Sequence, residues 1–126
     1  MILRHVALTC GSERNSDRFY KDLLGLDKSE PKNLPEPLSR AIFKVDAELL
    51  MIHYQGKAVH FEVFITDYPA DNNRRIDHVC LEVDDLNRFL KKCRDLDVDI
   101  SQIPKGDRTL TFIRDFDGNL FEIKHE

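Results

Sequence analysis

Over Leu3–Cys10 the apolar Val6 and Leu8 alternate with His5, Ala7 and Thr9, the period-two pattern of a half-buried strand. The same alternation returns over Ile76–Val83, where Val79 and Leu81 alternate with His78, Cys80 and Glu82. A helical pattern follows each strand. Phe19, Tyr20, Leu23 and Leu24 mark one face of the first helix, with Ser12 or Ser16 as N-cap and Gly25 at its end. Leu86, Phe89, Leu90 and Cys93 mark the second, behind Asp84 and Asp85 as candidate caps. A weak strand then follows in each half, Asp27–Lys32 and about Ile100–Ile103. A hairpin closes each half. Thr109–Arg114 and Asn119–His125 are joined through Asp117-Gly118, a strong turn signal, and Ser39–Val45 with Glu48–Tyr54 is the matching pair.

These halves are copies of one unit. Arg4-His5-Val6-Ala7-Leu8 aligns with Asp77-His78-Val79-Cys80-Leu81, and Asp17-Arg18-Phe19-Tyr20-Lys21 with Asn87-Arg88-Phe89-Leu90-Lys91. Asp46–Ile52 falls on Asp117–Ile123, which sets Met51 opposite Glu122. The expected architecture is α+β, with two βαβββ modules at 1–54 and 76–126. Between them, 55–75 holds an extra strand candidate, Ala58–Ile65, and a polar connector, Asp67–Asn73.

Composition narrows the class. The 126 residues are 41% hydrophobic and 33% charged, which suits one globular domain. With 19 Lys and Arg against 23 Asp and Glu the net charge is −4, and no basic stripe points to nucleic acid. No apolar run approaches the roughly 20 residues that span a bilayer, and the N-terminus lacks a signal-peptide layout, so a cytoplasmic protein is expected. Cys10, Cys80 and Cys93 lack short paired spacing and read as reduced, small buried hydrophobes.

Strand parity turns the repeat into chemistry. With Val6, Leu8, Val79, Leu81, Phe121 and Ile123 toward the helices, the opposite faces carry His5, His78 and Glu122. Two imidazoles and a carboxylate make a mixed nitrogen and oxygen set suited to a divalent first-row metal. On one concave sheet the three side chains can converge. His53 shares a face with Met51, and His60 with Glu62; each is either a general base or a polar edge-strand residue. Cys80 faces the same way as His78, but no adjacent base marks it as a nucleophile. Arg40, Lys105 and Arg108 could meet an anionic substrate or simply be solvated.

Three segments carry a family resemblance. They are His5-Val6-Ala7-Leu8 with Phe19–Leu26, then Asp77–Asp85, then the closing Phe112-Ile113-Arg114-Asp115-Phe116-Asp117-Gly118-Asn119-Leu120-Phe121-Glu122-Ile123. On these the chain resembles the vicinal oxygen chelate superfamily, the group of glyoxalase I, bleomycin-resistance proteins and ring-cleaving dioxygenases. The resemblance covers all of the chain except 55–75. It implies an open, curved mixed sheet with helices on its outer face, one divalent ion (Zn, Ni, Co, Mn or Fe), a small-molecule substrate and a homodimer. It also implies that His5, His78 and Glu122 are metal ligands.

At the fourth ligand position the repeat offers Met51, whose thioether suits such an ion poorly. Glu62 repairs the set if the strands are counted one later; otherwise the site has three protein ligands. The leading expectation is a metal-dependent lyase or isomerase resembling glyoxalase I, with Glu122 or Glu62 as the carboxylate that moves a proton. A three-ligand dioxygenase or thiol transferase is the enzymatic alternative. A metal-free binding protein of the bleomycin-resistance type is the non-enzymatic one.

Overall fold

A computed structural model describes residues 3–67 and 77–125. The chain divides into two compact units, Met1–Pro69 and Ala70–Glu126. Most of the expected connector Asp67–Asn73, and Ile76 of the expected second-half strand, lie outside the described residues.

The first unit opens with β1 (Val6–Cys10) and α1 (Glu13–Ser16), which runs on as a π-helical segment, Asp17–Leu23. Ser12 caps the helix, accepting from the Asn15 amide at 3.1 Å. The wide turn is closed by the Leu24 amide reaching back to the Phe19 carbonyl at 3.0 Å. It buries the consecutive Phe19 and Tyr20 together with Leu23. Gly25, at a φ of 71°, takes the left-handed conformation that ends the helix.

The chain then lays down β2 (Asp27–Lys28), β3 (Lys32–Leu34), α2 (Glu36–Phe43), β4 (Leu49–Gln55) and β5 (His60–Ile65). These strands form one five-stranded open sheet in the order β1-β5-β4-β2, with β3 also on β4. Only β1 and β5 run parallel. Ile52, Tyr54, Phe61 and Val63 are buried, Tyr20 stacks on Tyr54 with ring centres 5.3 Å apart, and Phe61 lies 5.4 Å from Tyr20. This aromatic core covers one face of the sheet.

The second unit is shorter: β6 (His78–Glu82), α3 (Leu86–Asp95), β7 (Asp99–Lys105), β8 (Arg108–Arg114) and β9 (Leu120–Lys124). Its sheet is open and mixed, in the order β6-β9-β8-β7, with β6 and β9 parallel. Asp85 caps α3 by accepting from the Arg88 amide at 3.0 Å. Leu90, Cys93, Ile113, Phe121 and Ile123 are buried.

Three expectations need correction. Ser39–Val45, expected as a strand, lies mostly in α2. Glu36 and Pro37 begin that helix, Arg40 pairs with Glu36 one turn back and with Asp46 beyond its end, and Lys44 closes it at a φ of 60°. The extra strand expected in the connector is β5, the central strand of the first sheet, paired on both edges with β1 and β4. The strand expected at Asp27–Lys32 is split between β2 and β3, both on β4. The α+β fold itself stands.

Candidate functional site

Each sheet carries a histidine–glutamate pair on the face away from its buried aromatic or aliphatic residues. In the first unit Ala7 pairs with Glu62, and His5 stands two residues before Ala7. In the second, Cys80 pairs with Glu122, and His78 stands two residues before Cys80. The register is the same in both. A two-residue step keeps side chains on one face, so each histidine reaches the neighbouring carboxylate. His5 Nε2 lies 3.7 Å from Glu62 Oε2, and His78 Nε2 lies 3.8 Å from Glu122 Oε2.

These correspondences make Glu62, not Met51, the counterpart of Glu122, so the alignment of Asp46–Ile52 with Asp117–Ile123 is corrected. The two segments share Asp, Leu and Ile at the same spacing, which slips the alignment by one strand. Met51 pairs with Phe64 on β4, two residues from His53.

The spacing within each pair fits a shared cation. Both distances exceed the roughly 3.2 Å of a direct nitrogen–oxygen hydrogen bond. Two ligand atoms each about 2.0–2.2 Å from one ion can stand up to about 4.2 Å apart. The side chains of Glu62 and Glu122 are 15% and 18% exposed, so each carboxylate is shielded but reachable. The donor set of imidazole nitrogen and carboxylate oxygen is that of borderline divalent ions.

The surroundings of the two pairs differ. On β4, His53 pairs with Glu62 and brings Nε2 to 3.9 Å from Glu62 Oε2. His53 Nδ1 and His60 Nε2 are hydrogen-bonded at 2.7 Å, and His60 also lies against His5, ring centres 5.8 Å apart. Burial, and then the neighbouring His53 and His5, hold the His60 pKa below its usual range. In the second unit Phe112 pairs with Glu122 and meets His78 edge-on at 6.1 Å.

The other candidates fall elsewhere. Cys80 is exposed, which corrects its reading as a buried residue, while Cys10 and Cys93 are buried. Local desolvation of the thiol first, and then Glu122, raise the Cys80 pKa, so its thiol is not a ready nucleophile. Arg40 is engaged with Glu36 and Asp46. Lys105 and Arg108 pair across the tip of the β7–β8 hairpin and are exposed.

Periodicity gave no sign of a polar network beneath the first sheet. Asp17 accepts from the Tyr54 hydroxyl at 2.8 Å and from Lys28 Nζ at 3.0 Å, and Lys28 also reaches Glu13 at 2.7 Å. The pairing of His53 with His60 was equally hidden, because only the β4–β5 register brings them together.

Comparison with known proteins places the fold and its relatives. The profile of the Glyoxalase/Bleomycin resistance protein/Dioxygenase superfamily matches residues 2–123. The chain is 32% identical over 91 residues to the mitochondrial methylmalonyl-CoA epimerase of Dictyostelium discoideum, a match covering 71% of this chain and 53% of that protein. It thus spans about half the length of the curated relatives it matches. A glyoxalase family protein from Bacillus cereus superposes with a TM-score of 0.76 at 16% identity, covering 100% of this chain and 94% of that one. A mutant of the fosfomycin resistance protein FosX from Listeria monocytogenes, solved with Mn(II) and 1S,2S-dihydroxypropylphosphonic acid, superposes with a TM-score of 0.74 at 15% identity over 98% and 93%. The chain therefore belongs to the Glyoxalase/Bleomycin resistance protein/Dioxygenase superfamily.

Proposed function

We propose that this protein is a divalent-metal-dependent isomerase or lyase that moves a proton on the carbon beside a carbonyl or thioester. Its metal ligands are His5, Glu62, His78 and Glu122. The observation supporting this is the repetition of one His–Glu pair, at one register and one spacing, in both sheets. A bound Zn, Ni, Co, Mn or Fe ion would supply Lewis-acid polarisation of a substrate oxygen.

The chain's own residues do the rest. His5 and His78 offer Nε2 lone pairs, and the two glutamates offer carboxylate oxygens on the same faces. Glu62 or Glu122 takes the proton from the substrate carbon and returns it. Similarity to methylmalonyl-CoA epimerase favours a thioester substrate and inversion at its α-carbon. A glutathione-type hemithioacetal is the second substrate class, by likeness to glyoxalase I. The same reading takes the protein as a homodimer, with a light-scattering mass of two chains.

The test begins with metal analysis of protein purified without chelator. The metal-loaded chain is then incubated in deuterated water with methylmalonyl-CoA or with the hemithioacetal, and followed by proton NMR. The expected result is one ion per chain and exchange of the proton beside the carbonyl, lowered about 10²-fold or more in Glu62→Gln or Glu122→Gln. Metal-loaded protein that exchanges neither substrate overturns the reaction assignment. Metal-free protein unaffected by His5→Ala leaves a binding protein, and iron with oxygen-dependent turnover leaves a dioxygenase.

A further inference from the structure

The two halves of the duplication agree at the histidine and the glutamate and disagree around them. Opposite Glu122 on the adjoining strand is Phe112, and two residues before it is Leu120. Opposite Glu62 is His53, and two residues before it is His60. At these two positions one sheet has apolar groups, with Lys124 Nζ 3.9 Å from the carboxylate on another side, and the other sheet has two hydrogen-bonded imidazoles. An apolar pair satisfies the fold in one half, so folding alone does not require imidazoles in the other.

We infer that His53 is a positioning residue for Glu62 and that His60 fixes the tautomer His53 needs for that role. This rests on the metal reading above. His53 Nδ1 and His60 Nε2 are 2.7 Å apart, so one nitrogen donates and the other accepts. His53 Nε2 faces Glu62 Oε2 at 3.9 Å. If His60 donates through Nε2–H, His53 accepts on Nδ1 and carries its proton on Nε2, pointing it at the carboxylate. The opposite arrangement would set a bare nitrogen lone pair against a carboxylate lone pair, which is repulsive. After a slight side-chain adjustment the favoured arrangement restrains Glu62 from the β4 side, while His5, on the β1 side, lies 3.7 Å from the same Oε2. Groups that orient a metal ligand in this way govern how well it binds.

The test uses the metal-free full chain and its Co²⁺ complex. Long-range proton–nitrogen NMR correlation of the metal-free protein reports each histidine's tautomer without any substitution. Both His53 and His60 are expected as the Nε2–H form. His53→Phe and His60→Leu install the residues of the second half, and each is expected to weaken Co²⁺ binding, read by absorption titration, about 10- to 100-fold. His60→Gln keeps an N–H donor and is expected to restore most of the affinity lost in His60→Leu.

An Nδ1–H tautomer at His53 overturns the inference. So does wild-type Co²⁺ affinity in both His53→Phe and His60→Leu while Glu62→Gln loses it. Failure of the metal reading looks different: wild-type protein takes up no Co²⁺, whatever its tautomers.

Discussion

Tyr54 is fully buried on β4, and its hydroxyl donates to Asp17 in the π-helical segment. Burial first, and then the Asp17 contact, push its pKa well above the usual phenol range, so it remains a neutral donor at any working pH. Tyr54→Phe keeps the stacking on Tyr20 but leaves Asp17 Oδ1 without this donor. The Asp17 side chain is 28% exposed, so water can take the place of the lost donor, and with the Lys28 contact retained the expected loss is about 1 kcal/mol. Urea denaturation of both proteins checks this. Metal affinity is expected to stay at the wild-type level, because alternation on β4 sends Tyr54 away from the face of His53. The residue scale also shows what a sequence can and cannot disclose. Val6, Leu8, Phe121 and Ile123 were placed by alternation alone, and so were His5, His78 and Glu122 on the other face. The contact of Tyr54 with Asp17 spans 37 positions and leaves no periodic trace.

At the scale of elements, the β8–β9 turn is the most self-sufficient. Gly118 takes a φ of 88°, a conformation that strains any residue with a Cβ. Asp115, 6% exposed, accepts from the Asp117 and Asn119 amides at 2.9 Å and from the Asn119 side chain at 2.7 Å. Those bonds close the turn that follows β8 and set the register of β9, and therefore the position of Glu122. Asp115→Ala is expected to cost about 2–4 kcal/mol, since it leaves several donors to water or unpaired. Gly118→Ala is expected to cost about 1–2 kcal/mol from the left-handed backbone alone. Chemical denaturation midpoints rank the two. The Asp117-Gly118 pair made this hairpin readable in advance. No such punctuation marked α2: its Ala41-Ile42-Phe43 run suits a strand as well as a helix, and the repeat biased the choice. What decides it is Pro37 in the first turn, the Glu36–Arg40 pair and the left-handed Lys44, all features of a helix with ends.

At the scale of the whole molecule, duplication explains both the success and the error. From His5 to Glu62 is 57 residues and from His78 to Glu122 is 44, so the first copy carries 13 more. That surplus includes α2, which stands between β3 and β4, whereas β7 turns directly into β8 at Gly106. An alignment that ignores the insertion slips by one strand and exchanges Glu62 for Met51. Strand pairing removes the slip, because the parallel partner of the first strand is the last strand in both sheets. The duplication then makes a quantitative demand on the metal proposal. If one ion takes both pairs, Glu62→Gln and Glu122→Gln remove equivalent ligands and should each weaken Co²⁺ binding by at least about 10-fold, within a few-fold of each other. Met51→Leu keeps the volume and apolar character of a residue beside the site, and should leave that affinity unchanged. Calorimetric titration of the three variants decides the matter. Loss of affinity in Met51→Leu comparable to that in Glu62→Gln would return the thioether to the ligand set, and an effect confined to Glu122→Gln would mean that the two copies do not share one metal.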